Sequence, residues 1–214
     1  MMMVIFHFIW DLNFFGHIST PIPNGPFWRE FRALIVSLFL FSMGISLVIV
    51  YKQGINYKKL GWRVGKLVLA AGVITITTMI MMPNSWVYFG ILHFIAFASV
   101  VLVGLVNYPR ISLLLSGVVL LVYYFVAGSG KWPFNYIDHL LPNHTVDLAT
   151  PFPWLALPLL GIWAAHQSLF QTPKKQKHTP HKAVLLLSKN SLIIYLIHQP
   201  IMFGSMQVLD WMSK

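Results

Sequence analysis

The sequence predicts an all-α protein, a polytopic bundle of membrane helices, and two observations lead to this prediction. The first is composition: 57% of the 214 residues are hydrophobic and only 9% are charged, with a mean hydropathy of +0.70, which is typical of an integral membrane protein. The second is the length of the apolar runs, which approach the about 20 residues that a helix needs to cross a bilayer. Continuous runs are unlike the alternating strands of a membrane β-barrel.

About seven transmembrane helices are expected, and we expect residues 1–214 to form one domain. The spans are predicted at about 1–16, 31–51, 63–82, 87–106, 111–126, 153–170 and 185–208. The first is short, because sixteen helical residues rise only about 24 Å against about 30 Å of hydrocarbon, so we expect its natural start to lie upstream of Met1. The connection 127–152 is polar and rich in proline, and it is predicted to cap one mouth of the bundle.

Basic residues predict the orientation of the bundle. Eleven of the fifteen lie in one set of loops and helix ends: Lys52, Lys58, Lys59, Arg63, Lys66, Arg110, Lys174, Lys175, Lys177, Lys182 and Lys189. By the positive-inside rule this side is cytoplasmic, which places the N-terminus in the cytoplasm and the C-terminus outside, together with His17 and Asp147. The net charge of +10 then reflects topology and contact with anionic lipid, and no nucleic-acid-binding module is seen. The absence of cysteine excludes disulfides and a cysteine nucleophile.

The first apolar run contains two ionisable residues, His7 and Asp11. Their i, i+4 spacing places them on one helix face, and ionisable groups in hydrocarbon are costly enough to mark functional sites. The alternative is structural, with the two side chains bonding to each other between packed helices. We expect this face to look into the bundle and to form part of a functional site.

Two more histidines lie inside predicted spans, His93 in the fourth and His198 in the last. Ser191, Tyr195 and His198 share a face at i, i+4 and i+7. If these faces converge on that of the first helix, the bundle encloses a polar core. Taken singly, each histidine is better explained as a packed, hydrogen-bonded helix residue than as a catalyst. No pair of histidines has the spacing of a metal site on one helix face, so no metal is expected.

Arg63 and Lys66 lie at i, i+3 where the third predicted span meets the cytoplasm, just after Lys58 and Lys59. Guanidinium and ammonium groups placed in this way can bind phosphate. The positive-inside rule alone also accounts for basic residues at this position. The sequence therefore leaves both a phosphate site and a purely topological role open.

Five segments, in order along the chain, carry a resemblance to a known family: MVIFHFIWDLNFFG, FWREFRALIVSLFLFSMGISLV, YFGILHFIAFASV, VDLATPFPWLALPLLGIW and YLIHQPIM. The chain resembles bacterial membrane proteins grouped with the catalytic domain of heparan-α-glucosaminide N-acetyltransferase. This resemblance implies a transmembrane acyltransferase of the bacterial inner membrane. It would move an acyl group, expected to be acetyl, from cytoplasmic acyl-CoA to an amine or hydroxyl of a sugar outside. The Arg-Gly lead into the first helix that is usual in the family is absent here.

The polar residues can be given roles in such a transfer. By the resemblance, His17 falls roughly where the family's catalytic histidine lies, after the first span; the alternative for His17 is an ordinary exposed loop histidine. The expected catalytic residues are His17, His7 and Asp11; those for acyl-CoA are Arg63, Lys66, His93 and His198; those for the acceptor are Asp147 and Trp154. Asp147 has a second interpretation, as the cap of a local turn. The expected partners are the lipid bilayer, acyl-CoA as co-substrate and a carbohydrate acceptor, and homo-oligomerisation is left open.

Two other classes of function are compatible with these residues. A proton-coupled transporter or permease would also use intramembrane histidine and aspartate as a relay, and a structural or assembly subunit is a third class. Transporter folds often show repeated halves with broken helices. Neither feature is visible in the sequence, which favours the acyltransferase.

Overall fold

The computed structural model describes residues 2–142, 144–167, 186 and 190–212. Within these residues the regular secondary structure is helical, apart from an isolated bridge between Phe89 and Leu148, so the all-α prediction is confirmed. The α-helices are α1 (Met2–Phe14), α2 (Pro26–Tyr51), α3 (Tyr57–Met81), α4 (Ile91–Leu102), α5 (Pro109–Phe125), α6 (Pro151–Trp154), α7 (Ala156–Ala164) and α8 (Ser191–Met212).

Each predicted span overlaps a helix of the structure, although several boundaries differ. Among the described residues, α2, α3 and the part of α8 from Leu192 to Met212 are long and apolar enough to cross a membrane, whereas α1, α4, α5 and the α6–α7 segment are shorter apolar helices. Residues 168–170 of the sixth predicted span, and most of 185–189 before the last helix, lie outside the described residues. The polytopic helix bundle is confirmed, and the protein is an integral membrane protein.

Helix α2 begins earlier than the sequence predicts, at Pro26 and not near residue 31. Proline favours the first position of a helix, because its missing N–H has no intrahelical partner there and its φ angle is already helical. The polar residues that follow are therefore part of the helix. Helix α3 also begins earlier than the predicted span, at Tyr57, because Asn56 caps it, with Oδ1 accepting a hydrogen bond from the Lys59 amide at 3.0 Å.

The chain forms two compact units. The first comprises Met1–Val36 and Thr172–Lys214, and the second comprises Ser37–Gln171. The first contains α1, α8 and the beginning of α2, and the second contains the rest of α2 with α3 to α7. The assignment of residues 1–214 to one functional domain stays a prediction.

Aromatic side chains hold the first unit together. The buried Phe6 ring of α1 lies 6.1 Å from the Trp28 ring of α2, measured between ring centroids. Further along α1, the Phe14 and Phe15 rings lie 5.3 Å and 5.1 Å from that of Phe203 in α8. Tilted and edge-on pairs at these distances are favourable beyond the area they bury, so α1 is fixed against both of its neighbours.

The end of α1 is a glycine-terminated turn that holds His17. Gly16 has a φ of 77°, a left-handed conformation that favours glycine, and its amide donates to the carbonyl of Asn13 at 3.2 Å. The His17 amide donates to the carbonyl of Leu12 at 2.9 Å. These two bonds are those of a Schellman cap. The Asn13 side chain then accepts a hydrogen bond from the Thr20 amide at 2.8 Å, which draws the following loop back onto the helix.

In the second unit, glycines allow α2 and α7 to approach closely. A Cβ atom on Gly44 would overlap the carbonyl of Pro158, and one on Gly161 would overlap the carbonyl of Phe41. Small residues at membrane helix contacts have this function generally, because they let the two backbones meet. A further link joins α5 to α7, where the buried Ser116 hydroxyl donates to the carbonyl of Ala156 at 2.9 Å.

Helix α4 begins at Ile91, four residues later than the sequence predicts. The cause is a distant cap: Oδ2 of Asp147 accepts a hydrogen bond from the Ile91 amide at 2.8 Å. Gly90 precedes the helix in an extended conformation, and a Cβ atom there would overlap the Asp147 carboxylate. The approach of this carboxylate therefore requires glycine, and it fixes where the helix starts.

Candidate functional site

Helices α1 and α8 of the first unit bring four polar side chains together, His7, Asp11, His198 and Gln199, which we call the α1–α8 cluster. The ring centroids of His7 and His198 lie 5.2 Å apart. Asp11 is fully buried, with an exposed fraction of 0%. The spacing of His7 and Asp11 on α1 directs both side chains to one face, as the sequence predicts, and α8 is the helix that this face meets.

Asp11 takes its hydrogen bond from Gln199. The Nε2 atom of Gln199 donates to Oδ1 of Asp11 at 2.9 Å. The hydrogen bond between His7 and Asp11 on which the structural alternative rests is not formed. Among the described residues, the buried Oδ2 of Asp11 and the buried Oε1 of Gln199 have no hydrogen-bond partner. The carboxylate is therefore fixed through one oxygen, and the other oxygen has no partner among the described residues.

The backbone of α8 assigns the tautomer of His198. Its Nδ1 atom lies 2.7 Å from the carbonyl oxygen of Tyr195 and 3.2 Å from that of Ile194. Carbonyl oxygens only accept hydrogen bonds, so Nδ1 carries a proton, and in the neutral ring Nε2 then presents a lone pair. Nε2 is buried and has no partner among the residues that the structure describes. His198 therefore contributes a third unsatisfied buried atom to the cluster.

His17 differs from the cluster in its exposure. Its backbone is fixed by the Schellman cap at the end of α1, and its side chain is exposed. An exposed imidazole at a fixed helix end is accessible to a substrate from solvent. His17 and the cluster therefore occupy different environments of the same unit, one open and one buried.

His93 lies in the second unit, in a closed hydrogen-bond chain. Its Nδ1 accepts from the Gly90 amide at 3.3 Å, so its proton lies on Nε2, which faces the Thr75 hydroxyl at 3.3 Å. That hydroxyl donates to the carbonyl of Val87 at 2.8 Å. Both ring nitrogens of His93 are engaged within its own unit, and the polar core shared with the first helix stays a prediction.

Asp147 caps α4 instead of a local turn, and the loop around it is joined to the start of that helix. The Thr145 hydroxyl donates to the carbonyl of Trp86 at 2.9 Å, and the Ala149 amide donates to the carbonyl of Phe89 at 3.0 Å. Trp154, the other residue predicted for the acceptor, is half-buried in α6.

Tyr88, which precedes α4, lies in the same region. Burial raises the pKa of its phenol above the ordinary value, and the Asp138 carboxylate raises this pKa further. The phenol therefore stays neutral and can donate a hydrogen bond at any physiological pH.

The predicted phosphate-binding residues line an open groove of about 520 Å³ at the beginning of α3. The side chains that line it are Asn56, Lys58, Lys59, Trp62, Arg63 and Lys66. Arg63 is half-buried, whereas Lys66 and Trp62 are exposed. Cations near the N-terminus of a helix are disfavoured by the helix dipole, so an anion bound in this groove would relieve the repulsion.

Two residues that take part in these networks, Gln199 and Thr75, are missed by the sequence reasoning. Gln199 follows His198 directly, and a polar side chain at that depth in an apolar helix is a signal that could have identified it. Thr75 has no such signal, because threonine in a membrane helix commonly bonds to its own backbone. Across the described residues, no group of three or more His, Asp or Glu side chains is placed to hold a metal ion.

These features define a class: an α-helical, polytopic membrane protein with ionisable side chains buried between its helices. The family model described as "Heparan-alpha-glucosaminide N-acetyltransferase, catalytic" matches residues 1–200, and the chain belongs to this family. The predicted resemblance is thereby confirmed, and membership indicates a transmembrane acetyltransferase. Searches of curated proteins and of solved structures find no match to the chain.

Proposed function

We propose that this protein transfers an acyl group, acetyl in the first instance, from acyl-CoA in the cytoplasm to an amine or hydroxyl of a carbohydrate on the outer side of a bacterial inner membrane. The family name, which describes N-acetyl transfer to a glucosaminide, supports the reaction class. The distribution of basic residues supports an orientation with the start of α3 in the cytoplasm and His17 outside.

The observation that carries the proposal is the α1–α8 cluster. It combines a fully buried carboxylate with two histidines inside a membrane protein, and such groups are functional by default because they are costly to bury. A purely structural cluster would be expected to satisfy its own hydrogen bonds. Asp11, Gln199 and His198 each keep a buried atom without a partner among the described residues, as a site that binds a ligand would.

The groove at the start of α3 supports a site for the phosphates of CoA. Arg63 and Lys66 supply the charge, and both line the groove. With the phosphates held at the membrane surface, only the pantetheine arm and the short acyl group enter the apolar region, so no free charge crosses it. Bidentate bonding by the Arg63 guanidinium would give this site its preference for phosphate.

Acyl transfer needs a base for the nucleophile, and two histidines are candidates. In the reaction the amine or hydroxyl attacks the thioester carbonyl, a C–N or C–O bond forms, the C–S bond breaks, the base takes the nucleophile's proton, and CoA leaves as its thiol after protonation. His17 is exposed on the predicted outer side, where a sugar would arrive. His7 is close to His198 in the buried cluster. We assign the base to His17, with His7 and Asp11 in the cluster completing the catalytic set.

The test is transfer by the purified protein in lipid nanodiscs, with radiolabelled acetyl-CoA and a sugar probe. Glucosamine offers an amine and hydroxyls, and glucose is the matched probe without the amine. Label recovered in an acetylated sugar, with release of one CoA thiol per transfer, is the expected result. Sugar or proton flux through proteoliposomes without any requirement for acyl-CoA would instead identify a permease.

A further inference from the structure

The unpartnered atoms of the α1–α8 cluster share one property, which is that all of them accept hydrogen bonds. Oδ2 of the Asp11 carboxylate and Oε1 of Gln199 are oxygens, and Nε2 of the neutral His198 ring has a lone pair because Nδ1 carries its proton. Each is buried without a partner among the described residues. Buried acceptors that lack donors are costly, so the species that satisfies them must bring N–H or O–H groups.

This polarity distinguishes between the two substrates of the proposed reaction. The reacting end of acyl-CoA is a thioester, whose carbonyl oxygen only accepts hydrogen bonds and finds no donor in these three atoms. A nucleophilic substrate brings N–H or O–H groups. We infer that Asp11, His198 and Gln199 bind N–H or O–H groups of the acyl acceptor, an inference that rests on the proposed function. His198 then belongs with the acceptor and not with acyl-CoA, where sequence analysis places it.

Gln199 is the positioning residue of this site. Its Nε2 donates to Oδ1 of Asp11 at 2.9 Å, which fixes the plane of the carboxylate and leaves Oδ2 for the ligand. Leucine at position 199 keeps much of the volume but leaves both carboxylate oxygens without a donor from the protein. The ligand would then bind to a carboxylate that can rotate, which weakens its binding more than it affects overall stability.

The experiment compares Gln199→Leu with Gln167→Leu in the full chain in nanodiscs. Gln167 is a matched control, because it is a half-buried glutamine whose amide donates to the carbonyl of Trp163 at 3.4 Å in the other unit. Gln199→Leu is expected to raise the KM for glucosamine about tenfold and to leave the KM for acetyl-CoA unchanged. Gln167→Leu is expected to leave both values unchanged.

A second pair of variants separates the two nitrogens of His198. Asparagine can replace the Nδ1 donor toward the Tyr195 carbonyl but offers no atom at the Nε2 position, whereas glutamine can place its oxygen near that position. His198→Gln is therefore expected to keep a KM for glucosamine closer to that of the wild type than His198→Asn. If Gln199→Leu is unfolded and therefore fails to bind acetyl-CoA, this pair of variants still tests whether the cluster binds the acceptor.

Two results would overturn the inference alone while leaving the proposed function intact. The first is normal transfer with an unchanged KM for glucosamine in both Gln199→Leu and His198→Asn. The second is a raised KM for acetyl-CoA alone, which would mean that the N–H and O–H groups of the pantetheine arm occupy the cluster. A wild-type protein that transfers acetyl to neither glucosamine nor glucose would overturn the proposed function and the inference with it.

Discussion

Gln199 and Asp11 are 188 residues apart in the chain, and they are joined by a hydrogen bond of 2.9 Å from the amide Nε2 to the carboxylate Oδ1. The bond links α8 to α1, the last helix to the first. It places a neutral amide donor against a fully buried carboxyl group, and among the described residues no ion pair is formed with this group. Such a carboxylate keeps the capacity to act on a ligand or on the neighbouring imidazoles.

Replacing Asp11 by Asn tests whether its charge is needed. The two side chains have nearly the same volume, so a packing role should tolerate the change. We expect at least about a tenfold loss of transfer activity, because the carboxylate would no longer stabilise a protonated imidazole nearby and the new NH₂ group would add a donor to a site built of acceptors. Acetyl-transfer assays with glucosamine measure this, and wild-type activity in Asp11→Asn would leave only packing.

His17→Ala and Arg63→Ala should affect different steps of the reaction. If His17 is the base, its removal lowers kcat strongly while the binding of acetyl-CoA persists. If Arg63 holds the phosphates, its removal raises the KM for acetyl-CoA with little change in kcat. Steady-state kinetics together with equilibrium binding of acetyl-CoA separate the two effects. Full turnover by His17→Ala would move the base to His7, and Lys52→Ala serves as the control for loss of a cytoplasmic charge outside the groove.

The sequence predicts the presence of the helices well, because a helix that crosses a bilayer needs an apolar run that matches the bilayer thickness. It predicts their starts less well. Helix α2 begins at Pro26, inside what looks like a polar loop, because proline favours the first position of a helix. Helix α4 begins late because its cap, Asp147, lies 56 residues further along the chain. A cap of this kind depends on tertiary structure, which local sequence patterns do not contain.

For the polar residues of the site, too, the sequence predicts local geometry but not the partners that tertiary structure brings together. The i, i+4 spacing of His7 and Asp11 follows from helix geometry and correctly predicts a shared face. The partner of Asp11 could not be predicted, since any polar residue of any other span was eligible, and the nearest candidate by sequence was His7. Similarly, His93 and His198 look alike in the sequence, whereas the structure gives them opposite tautomers and puts the former in a satisfied chain.

The orientation of the protein is a separate prediction. If the basic residues set the topology, His17 and Asp147 face outward and Lys58 faces the cytoplasm. The chain contains no cysteine, so a single cysteine introduced at one of these positions is the only thiol of the protein that can be labelled. In intact cells a membrane-impermeant maleimide should label positions 17 and 147, and it should label position 58 only after permeabilisation. Labelling of position 58 from outside would refute the orientation.

Stability should be sensitive to Gly161 and insensitive to Gly72. Alanine at position 161 would overlap the backbone of Phe41, which must separate α2 from α7, so we expect a loss of about 1–3 kcal/mol. Gly72 lies in α3 with nothing within 4 Å of an added Cβ atom, and alanine there should be neutral or stabilising by up to about 1 kcal/mol. Thermal unfolding in detergent compares the two, and equal effects would argue against the close contact.

Asp147 combines two roles that its variants can separate. Its carboxylate caps α4 through the Ile91 amide, and sequence analysis also predicts that it binds the acceptor. Asp147→Ala removes the cap and should cost about 1 kcal/mol of stability. Asp147→Asn keeps an oxygen for the amide, so most of that stability should return. If Asp147 also binds the acceptor, the asparagine variant should be nearly as stable as the wild type and still show a raised KM for glucosamine. A variant with wild-type stability and a wild-type KM would leave Asp147 with the capping role alone, because asparagine preserves the oxygen that caps α4 and removes the charge that would bind the acceptor.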